Sequence, residues 1–139
     1  MFCRLDRNAS EGLTSYDILE FMRDQGVRDC SLGDCARLIS FFDSDNDNML
    51  SFADFSQMVL PCEDQGLRNA AMSRPYSRVG RFDTLDHEVE LVLARLIQHE
   101  VDVMRRSQCL VRDLENMPDF SVQGAFRTID TFGEGKVHV

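Results

Sequence analysis

Apolar residues recur along this chain at helical spacing, in blocks separated by short polar runs. Thr14 to Gln25 carries Ile18, Phe21 and Met22 on one face, and Gly26 follows as a stop, so a helix is predicted there. Ser31 with Asp34 three residues later has the form of an N-terminal cap ahead of Ala36, Leu38, Ile39 and Phe42. Phe52, Phe55, Met58 and Val59 line the next predicted helix, which Pro61 ends. A short helix is predicted over Glu63 to Met72. Ser73 to Arg81, broken by Pro75 and Gly80 and locally basic, reads as an extended linker. From Thr84 to about Asn116 the pattern stays helical for roughly 33 residues, about 50 Å at 1.5 Å per residue. There Leu85, Val89, Val92, Leu96, Val103, Leu110 and Met117 follow a four-three spacing, interrupted at His99, Arg106 and Asp113, and predict an imperfect coiled-coil seam. Pro118 ends that helix, and Asp119 or Ser121 caps another leading to Asp130.

The polar runs between these blocks repeat as well. Asp43 to Asp54 places oxygen-bearing residues at positions one (Asp43), three (Asp45), five (Asp47), nine (Ser51) and twelve (Asp54), with the Met49 carbonyl at seven. Those are the positions from which a twelve-residue loop wraps a hard cation. Asp6 to Asp17 matches with Asp6, Asn8, Ser10, Thr14 and Asp17, and with Gly12 at seven. A third copy starts at Asp130 and stops at Val139, before its twelfth position. The residues four and one before each first aspartate are apolar (Phe2 and Leu5, Ile39 and Phe42, Phe126 and Ile129), so each loop is entered by a helix with the same expected buried face. The eighth position is Leu13, Leu50 or Val137, an aliphatic able to join two loops through a short antiparallel bridge.

These loops and flanks resemble the EF-hand superfamily, in the manner of calmodulin, troponin C and centrin. The resemblance covers residues 1–62 best and 119–139 in part. It implies an all-α fold: a paired EF-hand lobe (1–62), a short helix and extended linker (63–83), then a long amphipathic helix and the start of a third, degenerate hand (84–139). It also implies calcium as the ligand, and a groove, with Phe21, Met22, Phe55 and Met58 as candidate lining, that opens on metal binding. The same four residues serve equally as permanent core.

The loops depart from the family pattern. Asn48 occupies the turn position usually held by glycine, and Asn tolerates the left-handed backbone best among other residues. Asp54 replaces the closing glutamate; its shorter side chain reaches an ion less readily with both oxygens, which tilts the site toward magnesium as competitor. In the Asp6 loop only Asp6 and Asp17 are charged, and glycine falls one place late, leaving Glu11 to make the turn. That loop reads as a weak site or a structural hand that keeps its fold without metal. The third loop carries Phe132 at position three.

Composition narrows the classes further. A hydrophobic fraction of 43% is enough for a packed core, and a net charge of −9 argues against nucleic acid and suits cations or a basic partner segment. No run approaches the roughly 20 apolar residues of a membrane span, and no secretory leader is visible. Cys3, Cys30, Cys35, Cys62 and Cys109 have no framework or zinc spacing and are expected as reduced thiols. His87 and His99 read as surface or seam residues. No nucleophile motif or phosphate loop is present, so no catalysis is expected. Two functions compete: a calcium-responsive module gripping a helical protein partner, and a structural subunit whose long helix docks into an assembly. Long helices joining such hands, with an Arg-Pro-Tyr linker, look similar to protist cytoskeletal and ciliary EF-hand proteins, which implies a cytoplasmic location. A regulatory segment of an enzyme is a third reading. Both ends look cut, as in a piece of a longer protein.

Overall fold

The computed structural model describes residues 2–6, 9–60, 63–74 and 86–136. Among these the fold is all-helical: α1 (Phe2–Leu5), α2 (Ser15–Asp24), α3 (Leu32–Phe42), α4 (Phe52–Val59), α5 (Gln65–Met72), α6 (His87–Glu115) and α7 (Val122–Ile129). Pro61, Thr84, Leu85, Val137, His138 and the greater part of the expected linker lie outside the described residues. The chain divides into two compact units, residues 1–102 and 103–139, and the division falls within α6.

Local chemistry sets the helix ends. Thr14, Ser31 and Ser51 each accept from the backbone N–H three residues on, while Asp17, Asp34 and Asp54 reach back to the cap residue's N–H, so three helices begin with the same reciprocal box. At the end of α2, Gly26 takes φ +79°; its N–H donates to the Arg23 carbonyl at 3.0 Å and that of Val27 to the Met22 carbonyl at 2.9 Å. This glycine-dependent double bond turns the chain sharply toward α3. Asp64 caps α5, and Ser121 caps α7.

The core of the first unit is built from α1 to α4 and the start of α6. Ile18, Leu19, Phe21 and Met22 from α2, Cys35, Leu38 and Ile39 from α3, and Phe55 and Met58 from α4 are buried. All four residues with an expected groove role are therefore inside the core in this structure. Phe2 joins the first repeat to the second, meeting Phe52 and Phe55 edge-on with ring centroids 5.7 Å apart in both pairs.

Two expectations from the apolar pattern are corrected. The stripe of α6 buried within the chain is Glu90, Leu93, Ala94, Ile97 and Val101, a different face from the four-three seam, whose Val89, Val92, Val103, Leu110 and Met117 are exposed. A charged residue heads the true face, because Glu90 accepts from Arg4 Nε at 3.0 Å and from Gln25 Nε2 at 2.9 Å, and that disguised the stripe in the hydrophobic pattern. Phe126 and Ile129 of α7 are also exposed, so the third repeat does not bury the face its two counterparts bury. Within residues 103–136 no described residue is buried.

Candidate metal centre

The first and second loops are fixed to each other before any ligand is considered. Leu13 and Leu50 form an isolated antiparallel bridge, each N–H donating to the other's carbonyl at 2.9 Å, and both side chains are fully buried. This is the pairing expected from the eighth positions.

Among the described residues the three loops share one backbone feature. Positions four and six adopt left-handed φ in each: Ala9 (+56°) and Glu11 (+67°), Asn46 (+62°) and Asn48 (+64°), Gly133 (+68°) and Gly135 (+71°). Two such turns in quick succession curl the chain around the first aspartate, whose carboxylate accepts the inward N–H groups. Asp6 accepts from Ser10 at 2.9 Å and Glu11 at 3.0 Å. Asp43 accepts from Asn46 and Asn48, both at 2.8 Å. Asp130 accepts from Glu134 at 3.1 Å and Gly135 at 2.8 Å.

Glu11 makes the turn in the first loop, as expected, and the displaced glycine has its own reason. A Cβ on Gly12 would lie 2.5 Å from Met49 Cε and 3.1 Å from Met49 Cβ. The seventh residues of the two loops are thus stacked beside the Leu13–Leu50 bridge, and Gly12 leaves space for Met49.

Charge gathers only in the second loop. Asp43, Asp45 and Asp47 bring carboxylate oxygens within 4.8 Å of one another, and no other His, Cys, Asp or Glu group of this kind occurs among the described residues. The electrostatics show the crowding. Asp45 is raised above its ordinary range, first through its hydrogen bond with Asp43 and then through the Asp47 charge. For Asp43, desolvation pushes upward, but the N–H groups of Asn48 and Asn46 together outweigh it and hold the carboxyl below the usual range. Three exposed or half-exposed acids sharing oxygens at this separation are a fit for one hard cation, which would relieve their repulsion.

The twelfth residue stands apart. Asp54, only 3% exposed, is not in the carboxylate group; its Oδ2 accepts from the Ser51 N–H at 3.1 Å and the Ser51 hydroxyl at 2.6 Å, and its Oδ1 from the Ser44 hydroxyl at 2.8 Å. The Ser51 hydroxyl above all, assisted by Ser44, lowers Asp54 despite its burial. Both lone pairs of Oδ2 are used, and the Ser44 backbone N–H joins its hydroxyl in holding the carboxylate. Met49 donates its N–H to Asp47 at 2.8 Å.

Several oxygens of the first loop are engaged within the loop itself. The Ser10 hydroxyl donates to the Gly12 carbonyl at 2.9 Å, so the fifth- and seventh-position oxygens serve each other, and Asp17 Oδ2 accepts the Thr14 N–H and hydroxyl at 2.8 and 2.5 Å. Asn8 lies outside the described residues. Sequence reading missed the Ser44–Asp54 contact; a hydroxyl at position two of an acidic loop was the available signal.

No protein-family model, no curated protein and no solved structure matches this chain. No helix among the described residues is long and apolar enough to cross a membrane.

Proposed function

We propose that this chain is a non-catalytic EF-hand interaction module in which the loop Asp43–Asp54 binds calcium, with magnesium as competitor, and the helices grip a protein partner. The convergence of Asp43, Asp45 and Asp47 oxygens within 4.8 Å carries this reading. Asp43, Asp45 and Asp47 would hold the ion with the Met49 carbonyl; Ser51 and Asp54 would complete the set once Asp54 exchanges a Ser44 hydrogen bond for the ion. The ion supplies charge neutralisation of the acidic loop and no reaction chemistry. The Asp6–Asp17 loop, where Ser10, Gly12 and Asp17 Oδ2 are engaged within the loop, serves as the structural partner of the site. A net charge of −9 favours a basic helical segment as ligand and disfavours nucleic acid.

A second reading is a structural subunit of a cytoskeletal or ciliary assembly in the cytoplasm, independent of calcium. Two observations favour it. The Asp54 carboxylate is already held in a cap, and α7 presents Val122, Phe126 and Ile129 to solvent.

Calcium titration by calorimetry at fixed magnesium, with Asp43→Ala as control and an apolar dye as reporter, separates the two. Binding heat abolished by Asp43→Ala, with a calcium-dependent rise in dye signal, supports the module. Heat without dye supports a resident structural ion. No heat up to millimolar calcium removes the calcium reading.

A further inference from the structure

The connection into α3 holds two thiols in contact. Cys30 Sγ and Cys35 Sγ are 3.5 Å apart and both are buried, Cys30 at 8% exposure and Cys35 at 0%. Their placement follows from the helix start. With Ser31 as the cap residue, Cys30 precedes the cap and Cys35 is the fourth helical residue, the two positions at which apolar side chains commonly staple the entering chain onto a helix. A staple needs only two apolar groups. Here both are thiols, and no third His, Cys, Asp or Glu ligand joins them among the described residues to make a metal site.

We propose that Cys30 and Cys35 form a reversible dithiol–disulfide site, oxidised by low-molecular-weight disulfides of the glutathione class. The Cys30 thiolate, on the less covered sulfur, attacks the small disulfide. One small thiolate leaves, takes up the proton that Cys30 lost, and a mixed disulfide remains on Cys30. Cys35 then gives up its proton and attacks the Cys30 sulfur, closing the Cys30–Cys35 bond and expelling the second small thiol. Two protein thiols are oxidised and one disulfide is reduced to two thiols. The bond needs an S–S distance near 2.05 Å, so the sulfurs approach by about 1.5 Å. Cys30 lies ahead of the helix, outside its hydrogen-bonded frame, and can make that movement.

The thiol chemistry sets direction and order. Burial first, and the hydrogen bond with Cys30 next, push the Cys35 thiol up to about 12, so at neutral pH it keeps its proton and Cys30 reacts first. Proximity then offsets the small thiolate fraction of Cys35 in the closing step. A dithiol whose thiolate is not stabilised favours the disulfide once formed. Closure ties the turn after α2 to the first turn of α3, the helix that leads into Asp43. The site does not depend on metal binding.

The test uses the full chain with Cys3, Cys62 and Cys109 changed to serine, circular dichroism confirming its fold, and the unmodified chain in parallel with peptide mapping. Each is equilibrated in glutathione buffers of rising oxidised fraction, quenched with acid, and alkylated after denaturation. The expected result is joint loss of both thiols in a single two-electron transition and a Cys30–Cys35 cross-linked peptide. Amide exchange in the first turn of α3 should slow by up to roughly 40-fold, the chain-entropy value for so short a loop. Cys35→Ser should stop at the mixed disulfide on Cys30. Recovery of both thiols free in fully oxidised buffer overturns the proposal, as does a glutathione adduct on Cys30 that persists while Cys35 is intact.

Discussion

At the scale of single residues, two adjacent positions in the first loop carry opposite demands. Glu11 holds φ +67°, a conformation that costs a side-chain-bearing residue roughly 1 kcal/mol, whereas Gly12 is needed for the space that Met49 fills. Glu11→Gly is therefore expected to raise stability by about 0.5 kcal/mol, the strain relief being partly offset by glycine's freedom in the unfolded chain. Gly12→Ala is expected to lower it by under about 1 kcal/mol, because the flexible Met49 tip swings aside and only the 3.1 Å approach to Met49 Cβ resists, with recovery when Met49→Ala is added. Urea denaturation reads both, and equal effects at the two sites would contradict the assignment. The acidic residues give a pH dependence of two signs in metal-free protein. Asp54 has a folded-state pKa below its unfolded value, so its contribution is present above the ordinary carboxylate range and lost as pH falls through the depressed value. Asp45 is raised, so its ionised form opposes folding above that raised value and protonation removes the penalty. Thermal melts across the acid range should show Asp54→Asn losing less stability than wild type as pH falls. Asp45→Asn should be more stable than wild type near neutrality, with that advantage vanishing in acid.

At the scale of helices, the Ser31–Asp34 box, the Gly26 stop and the Leu13–Leu50 bridge were legible because each depends on neighbours within one or two turns, or on a repeat, whereas the boxes at Thr14 and Ser51 were read only as loop ligands. The packing of α6 was not. Its buried face is headed by Glu90, and a hydrophobic count passes over a charge whose partners, Arg4 and Gln25, lie far off in sequence. Cys35 was hidden for the same reason: counted among thiols, it is in fact a staple residue of α3, while Ala36 beside it is exposed. The gathering of Asp43, Asp45 and Asp47 was readable from their spacing, but the engagement of Asp54 by Ser44 depends on a fold-specific approach that spacing does not encode. Glu90 offers the sharpest check of the α6 placement. Glu90→Ala leaves two donors without their shared acceptor at a largely buried position and is expected to cost about 1–3 kcal/mol. Amide exchange should accelerate in residues 87–102 while α3 and α4 keep their protection. Uniform loss of protection would mean instead that α6 and the loop helices open as one unit.

At the scale of the whole chain, the two compact units differ in what they bury. Residues 1–102 enclose Phe21, Met22, Phe55 and Met58, so a calcium-dependent apolar surface there has to be uncovered by a change in the helices. Residues 103–139 already present theirs, with Val122 76% and Phe132 80% exposed and Phe126 and Ile129 beside them. Val122, Phe126 and Ile129 fall at helical spacing on one face of α7, and an exposed apolar face marks an interaction site or an aggregation liability in the free chain. An apolar dye should therefore report two separable signals. In the presence of a chelator, the wild-type chain is expected to bind dye through the second unit, and Phe126→Asp with Ile129→Asp should remove most of that signal. Added calcium should give a further rise in both the wild type and this double variant, and no rise in Asp43→Ala. If the charged pair abolishes the calcium-dependent rise as well, the calcium effect runs through the second unit and not through the helices around Asp43–Asp54. If the chelated wild type binds no dye, the α7 face is covered in solution, and the calcium increment then has to be traced by exchange protection in α2 and α4 instead.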